Sequence, residues 1–401
     1  MKYWDLRKIG RCGYNNQAKK FLVWYLPPAQ GGFLLSDKPM RKGITTGTCA
    51  AAAAKAAVLA WSGQTVAAVE VISPQGVALV VPVAGSCPIA GGGSAWVIKD
   101  AGDDPDITNG VKIAAEIMVT DEPGIIIKAG EGVGTVTKPG LAMPVGEPAV
   151  NPGPRAMITR AVEECLPPGR GAVVTISVPG GEKLATRTLN PILGIVGGLS
   201  IIGTTGIVEP MSEEAFKNSL VPQISVVQAL GYNEIVFAPG KIGQDIAINR
   251  YGIPAAAVVQ TSNFIGHMLE NAVKYGMRRV LLFGHLGKIV KVSAGIFHTH
   301  NRMADARLET LAAYLAAGGA PQAAVEEVLA STTTEAVMPI IARYNMTAVY
   351  NVLAERASAR AERYVFGDLA VGTVIVTLKG EILGLDQTAR EIGGHLGWNI
   401  R

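Results

Sequence analysis

Four groups of residues in this chain have the types and spacing that chemistry requires. The first is Gly43-Ile44-Thr45-Thr46-Gly47-Thr48-Cys49, which runs into residues 50–57, alanine at every position but Lys55. Thr46 or Thr48 can cap the first turn of an alanine helix, and the free N–H groups of such a start attract anions. The plain alternative is a structural helix whose small face lets another backbone come close. The second group is Asp100, Asp103, Asp104 and Asp106. Four carboxylates in seven residues repel unless a cation or hydrogen-bond donors lie near. They could meet ribose hydroxyls or a sulfonium charge, or form a solvated turn. An EF-hand reading from Asp104 fails, because Asn109 stands where the loop needs glycine and Ala115 where it needs glutamate.

The third group is His298-Thr299-His300 with Asp305 and, further back, His285. Imidazoles at i and i+2 of a strand share a face and could meet one ion. No H-E-x-x-H or cysteine set supports a metal, so none is expected, and these histidines read as polar site or capping residues. The fourth group is glycine-rich. Gly130, Gly132 and Gly134 precede the strand-like Thr135-Val136-Thr137, where a dinucleotide site needs a helix. Gly287-Lys288 lacks the Ser/Thr and the earlier glycine of a P-loop. Residues 197–206 form a flexible loop that lets a ligand, or another chain segment, approach backbone. No nucleophilic triad or G-x-S-x-G is present. Such a set suits chemistry that depends on positioning more than on acid–base assistance.

The elements that must hold these groups come from a chain of 401 residues, 49% apolar, enough for two domains with large cores. Residues 1–42 carry nine Lys/Arg and two acids, a charge of +7 that leaves the remainder at −3 out of a total of +4. The basic character therefore belongs to an N-terminal extension, which argues against a nucleic-acid-binding body. Six apolar residues from Phe21 are too few for a signal h-region. The uncharged stretch 191–208 is interrupted by four glycines from Gly194 to Gly203 and reads as buried strand and loop instead of a membrane span. Cys12, Cys49, Cys87 and Cys165 form no C-x-x-C pair and fit a reduced cytoplasmic setting.

Residues 43–190 alternate strand and loop signals with few helices. Strands are expected at 66–72, 77–83, 96–99, 125–128 and 172–178, and helices at 48–60, 109–119 and 155–165. From 223 onward short apolar strands (234–238, 255–260, 279–283) alternate with helical segments (243–250, 266–275, 304–317). That alternation predicts a parallel sheet with right-handed crossovers. Sites in such sheets lie beyond the strand C-termini, here Pro239-Gly240-Lys241, Thr261-Ser262-Asn263 and Gly284-His285-Leu286-Gly287-Lys288. Two helices (334–343, 346–361) and a closing strand pair (373–378, 382–383) complete the chain. The expected fold class is α/β, with a β-rich α+β first domain followed by a Rossmann-like parallel α/β domain. The expected divisions are 1–42, 43–222, 223–330 and 331–401.

Taken together, several segments resemble the cobalt-precorrin-5B C1-methyltransferase family of anaerobic cobalamin biosynthesis. They are Gly43 through Ala50, Lys99 through Asp106, Gly130 through Leu141, Asn151-Pro152-Gly153-Pro154-Arg155, Gly206 through Ser212, and Gly284 through Lys288 continuing to Thr299-His300 and Ala304-Asp305. They occur in order over about residues 41–385; the first forty residues look like an addition to the family pattern. The resemblance implies methyl transfer from S-adenosylmethionine to ring carbon C1 of a cobalt-containing tetrapyrrole, giving cobalt-precorrin-6A, with cobalt only in the substrate. Thr45, Thr46, Thr48, Arg155, Lys288 and Lys291 are then expected to receive substrate carboxylates. Asp103, Asp104, Gly240, Ser262, Asn263 and Gly284 are expected around the methyl donor, and His285 or His300 as proton acceptor. Partners are expected to be the small tetrapyrrole alone, with no nucleic acid or membrane, and a homo-oligomer is possible. Two other classes stay open: a small-molecule kinase, with the Gly/Thr loop cradling ATP and the aspartates holding magnesium, and a non-catalytic tetrapyrrole carrier.

Overall fold

The computed structural model describes residues 39–398. The basic segment expected over 1–42 lies outside them up to residue 38, Cys12 included. Arg41 and Lys42 belong to the body. Arg41 forks onto Asp100, and Lys42 Nζ lies 2.7 Å from Glu209.

The first lobe begins with β1 (Gly43–Ile44) and α1 (Thr46–Trp61). Thr45 is the N-cap and its hydroxyl accepts from the Thr48 N–H. Thirteen of the sixteen residues of α1 are buried. A helix with small apolar residues on every side has no solvent face and must be wrapped. The wrapping is a hairpin of β2 (Ala68–Ile72) and β3 (Ala78–Pro82), and a sheet formed by β4 (Gly85–Ile89), β5 (Gly92–Ile98), β6 (Lys112–Thr120), β7 (Gly124–Ala129) and, further on, β9 (Gly171–Ser177). The sheet runs in the order β4-β5-β6-β9-β7, antiparallel except where β7 pairs with β9. A Cβ on Gly93 would lie 2.0 Å from the Ala57 carbonyl oxygen, so β5 crosses α1 at backbone contact. The expected helix over 109–119 is instead the central strand β6. Ile113, Ala115 and Ile117 are buried at period two, and pairing on both edges overrides local helix preference.

β8 (Thr135–Val136) pairs with β10 (Ile195–Val196) in a short antiparallel ladder, and α2 (Pro152–Glu163), α3 (Gly181–Ala185) and α4 (Asn190–Leu193) lie between them in the chain. β11 (Ile207–Val208) returns to pair with β1. The uncharged stretch 191–208 thus contains one helical turn, two short strands and loop. Among the described residues, no helix is long and apolar enough to cross a membrane.

The second lobe follows α5 (Glu213–Leu220) and α6 (Pro222–Ala229). Its sheet comprises β12 (Glu234–Ala238), β13 (Val258–Gln260), β14 (Arg279–His285), β15 (Ala370–Val376) and β16 (Ile382–Leu385), in the order β13-β12-β14-β15-β16. The first four are mutually parallel and β16 is an antiparallel edge. α7 (Lys241–Asp245) and a π turn (Ile246–Arg250) link β12 to β13, and α8 (Ile265–Lys274) links β13 to β14. α9 (Leu286–Ser293), α10 (Arg307–Ala317), α11 (Gln322–Ala330), α12 (Thr334–Arg343) and α13 (Val349–Tyr364) lie between β14 and β15, and α14 (Gln387–His395) closes the chain. Along β14, Val280 and Leu282 face one core while Leu281 and Phe283 face another. Burial on both faces explains why these strands read as continuous apolar runs without alternation. Segments 331–364 and 370–385 thus complete the sheet begun at residue 234. The architecture is mixed α/β with several sheets.

Candidate active site

Strand order locates a crevice. β12 continues leftward to β13 by way of α7, on the face that buries Ala247 and Ile253. β14 continues rightward by way of α9, on the face that buries Leu286, Ile289 and Val290. Connections that diverge to opposite faces leave an opening outside the strand C-termini, which is where α/β sheets bind ligands. Here it falls between Pro239-Gly240 and His285-Lys288. A Cβ built on Gly240 meets nothing within 4 Å, so space lies over that turn.

His285 ends β14 and is the N-cap of α9, with no side-chain cap hydrogen bond. Its Nδ1 is buried and has no partner among the described residues. Burial pushes the imidazole below the ordinary histidine value of 6.5, against the pull of Glu335, with Lys288 and Arg307 adding to the depression. The ring is therefore neutral at pH 7. The sign for stability follows: between 6.5 and the lower folded value the unfolded chain takes up a proton that the folded one refuses. Lowering pH from 7 to 5 is expected to reduce the melting temperature of the wild type more than that of His285→Gln. An equal or smaller loss in the wild type would contradict the burial argument.

Lys288 lies one turn on, and its Nζ donates to the neutral Asn263 Oδ1. It has no carboxylate partner among the described residues. Burial, then the charges of Lys291 and Arg307, pushes the ammonium below the usual lysine range. Asn263 also accepts from Thr299 N–H through its carbonyl at 2.9 Å. Its neighbour Ser262 has φ +51°, a left-handed conformation that a side chain disfavours and that marks a strained turn. Thr261 is fully buried, and its hydroxyl has no partner among the described residues. His300 is exposed, and its Nδ1 accepts from the Arg302 N–H at 3.2 Å. Gly284 is packed, since a Cβ there would lie 3.2 Å from both Ile289 and Pro239.

Gly240, Ser262, Asn263, Gly284, His285, Lys288, Lys291 and the loop bearing His300 therefore share one region. The other expected site residues sit elsewhere and are occupied internally. Thr46 Oγ1 accepts from Ile202 N–H at 2.8 Å and donates to Ile202 O at 3.1 Å. Thr48 Oγ1 donates to Gly206 O at 2.7 Å, and Thr45 N–H to the same oxygen at 3.1 Å. The three threonines lock the glycine loop 202–206 onto α1, and all are buried. Arg155 holds Val150 O at 3.0 Å and Glu147 at 2.9 Å. Lys291 is fully buried and donates only to protein oxygens.

Asp103 accepts from Arg41 N–H at 2.6 Å and Asp104 from Met211 N–H at 2.8 Å. The acidic stretch is thus a tie between chain segments. Asp106 meets Lys99 at 2.6 Å, and that side chain is 1% exposed. The His298 and His300 ring centroids are 6.5 Å apart. Among the described residues no cluster of three His, Cys, Asp or Glu side chains forms. Residues 206–213 connect the two regions, from Gly206 on Thr48 to Met211 on Asp104 and on to Glu213, 3.7 Å from His298 Nδ1.

Sequence reasoning missed Arg307, which forks onto Asp305 at 2.6 and 2.8 Å. It also missed Asn301 and Glu335. The Asp305-x-Arg307 spacing was the available signal for the first. The others appear only when loops are folded.

A parallel sheet buried on both faces, with a half-buried cation and unpartnered polar atoms at its switch point, defines an α/β enzyme acting on small molecules. The CbiD family model matches residues 34–210, and the model described as CbiD, C-terminal domain, matches 298–387. A protein named cobalt-precorrin-5B C(1)-methyltransferase from Moorella thermoacetica is 52% identical over 362 residues, 90% of this chain and 99% of its own length. One of the same name from a Thermoanaerobacter species is 46% identical, covering 86% of this chain and 95% of its own. A crystal structure of the cobalamin biosynthesis protein cbiD from Archaeoglobus fulgidus is 31% identical, covers 67% of this chain and 84% of that one, and has a TM-score of 0.37. The chain belongs to the CbiD family of cobalt-precorrin-5B C(1)-methyltransferases.

Proposed function

We propose that the protein methylates ring carbon C1 of cobalt-precorrin-5B in cobalamin biosynthesis, with S-adenosylmethionine as donor. The observation that carries this reading is 52% identity to a protein of that name across 99% of its length. The donor supplies an electrophilic methyl group. Its carbon–sulfur bond breaks with the electron pair left on sulfur, while the ring carbon supplies the pair for the new bond. The chain's contribution is binding and alignment, which can be worth roughly 7–11 kcal/mol.

The geometry supports the strand ends of the second lobe as the place of binding, used in a Rossmann-like manner. Gly240, Ser262, Asn263 and Gly284 are proposed around the donor and Lys288 on a carboxylate of the substrate, where its unmatched charge fits an anion. His285, neutral at pH 7, is the proposed proton acceptor. His300 keeps one ring nitrogen, Nε2, outside its hydrogen bond to Arg302 and is the alternative acceptor. Thr45, Thr46, Thr48, Arg155 and Lys291 already have internal partners and leave the set of proposed carboxylate ligands. Asp103 and Asp104 accept from the Arg41 and Met211 N–H groups and leave the set proposed around the donor. We further propose that the protein works in the cytoplasm, on a small tetrapyrrole, without nucleic acid.

An anaerobic assay with cobalt-precorrin-5B and methyl-labelled S-adenosylmethionine tests the function. Label in the ring at one position is expected. Binding of both ligands without label transfer would favour a carrier, and binding of ATP–magnesium in place of the methyl donor would favour a kinase.

A further inference from the structure

Lys291 sits three residues beyond Lys288 on α9 and is 0% exposed. Its ammonium donates to Thr299 O at 3.2 Å, Asn301 Oδ1 at 2.7 Å and Ala304 O at 2.9 Å. A lysine has three N–H donors, so all are used, and every acceptor lies within residues 299–304. No carboxylate among the described residues pairs with it; the nearby Asp305 is forked onto Arg307. Burying a charge against neutral oxygens alone is a costly way to fill space, and an apolar side chain of similar volume is often no less stabilising at such a position. What the ammonium does, and a methyl group cannot, is fix a loop.

That loop has few other anchors. It turns on His300, whose carbonyl accepts from Met303 N–H at 3.0 Å, and Asn301, Arg302 and Met303 are exposed. Its first residue, Thr299, donates its N–H to Asn263 O, and Asn263 also receives Lys288. The loop, the strained Ser262-Asn263 turn and Lys288 thus form one hydrogen-bonded unit, with Lys291 beneath it.

We propose that Lys291 is a positioning residue: its buried ammonium clamps residues 299–304, and His300 with them, beside the Lys288 turn, so that the substrates meet one loop arrangement. The positioning role rests on the reading that the strand ends carry methyl transfer; the clamp itself does not.

Arg302 supplies a direct probe, because it is an exposed trypsin site on the clamped loop. The test compares nicking after Arg302 and steady-state methyl transfer in wild type, Lys291→Met, Lys291→Gln and Asn301→Ala. Asn301→Ala alters one exposed side chain and leaves the core intact, so it covers the case in which Lys291→Met fails to fold. Loss of one charge-assisted hydrogen bond should speed nicking by about tenfold in Asn301→Ala, and Lys291→Met should exceed that. In Lys291→Met the turnover number should fall about 10- to 100-fold from misplacement of the loop, with the KM for cobalt-precorrin-5B changed by less than about twofold. Lys291→Gln keeps two N–H donors without the charge and should recover part of both losses, which a role in packing alone would not produce. Unchanged nicking in folded variants would overturn the clamp. Faster nicking with wild-type turnover would overturn the positioning role and leave the functional reading standing. A wild type that transfers no methyl group would remove that reading, and the positioning role with it, whatever the nicking shows.

Discussion

Replacing Lys288 by alanine should lower kcat/KM for methyl transfer by about 10- to 100-fold, the equivalent of one charge-assisted hydrogen bond. Most of the loss should fall on KM, because a carboxylate remote from the reacting carbon is held equally in the ground and transition states. The reasoning is local. Lys288 is half-buried, donates to a neutral amide oxygen, and has Lys291 and Arg307 as charged neighbours. A bound carboxylate would relieve that repulsion and raise the ammonium's depressed pKa. Removing the charge should also stabilise the unliganded protein slightly or leave it unchanged, since no ion pair among the described residues is broken. A variant with unchanged KM would remove Lys288 from the substrate's carboxylate site. A variant that loses turnover at unchanged KM would place it at the reacting centre.

The second large effect concerns the acidic stretch, where Asp106→Ala should destabilise the protein by about 3–5 kcal/mol. Lys99 is 2% exposed, and Asp106 is its only carboxylate partner among the described residues, at 2.6 Å. Removing the carboxylate leaves a buried ammonium uncompensated. Burial pushes the Asp106 carboxyl up, but hydrogen bonds from Lys99 and from the Thr108 hydroxyl and N–H outweigh it and hold it below the ordinary aspartate value of 3.8. Its contribution to stability is therefore present above that value and is lost as pH falls through the folded one. Denaturant titrations at pH 7 and pH 3 check both points. The difference between wild type and variant should be large at pH 7 and shrink at pH 3. A constant difference would contradict the ion-pair account.

In the fold, the stretch that stood out most in the sequence has internal partners. Thr45, Thr46 and Thr48 stand where a helix start would bind an anion, but loop 202–206 supplies the partners, and that loop comes from 156 positions away in the chain. A helix terminus looks the same in sequence whether a ligand or a distant backbone fills it. Gly93 is needed because β5 touches α1, which only the folded sheet reveals. The strand ends were legible for a physical reason: short apolar runs broken at regular spacing specify a parallel sheet, and such a sheet exposes its C-terminal ends. Hence Gly240, Ser262, Asn263, His285 and Lys288 could be chosen together before any coordinates. The misreading of 109–119 and the lack of any expected helix over 286–293 share a cause. Strand β6 lies in a segment of mixed preference settled by neighbours on both sides, and α9 combines Gly287 with β-branched Ile289, Val290 and Val292, poor helix formers in isolation. Packing of their apolar side onto β14 and α13 decides the matter. Lys291 was expected on a substrate carboxylate, because nothing local in the sequence marks a lysine that folding will bury.

A crystal structure with S-adenosylhomocysteine bound is the most direct test of the account. The account predicts ligand density outside the C-termini of β12 and β14, against Gly240, Ser262-Asn263 and the His285–Lys288 turn. Density at the start of α1, or on any surface away from that crevice, would contradict it.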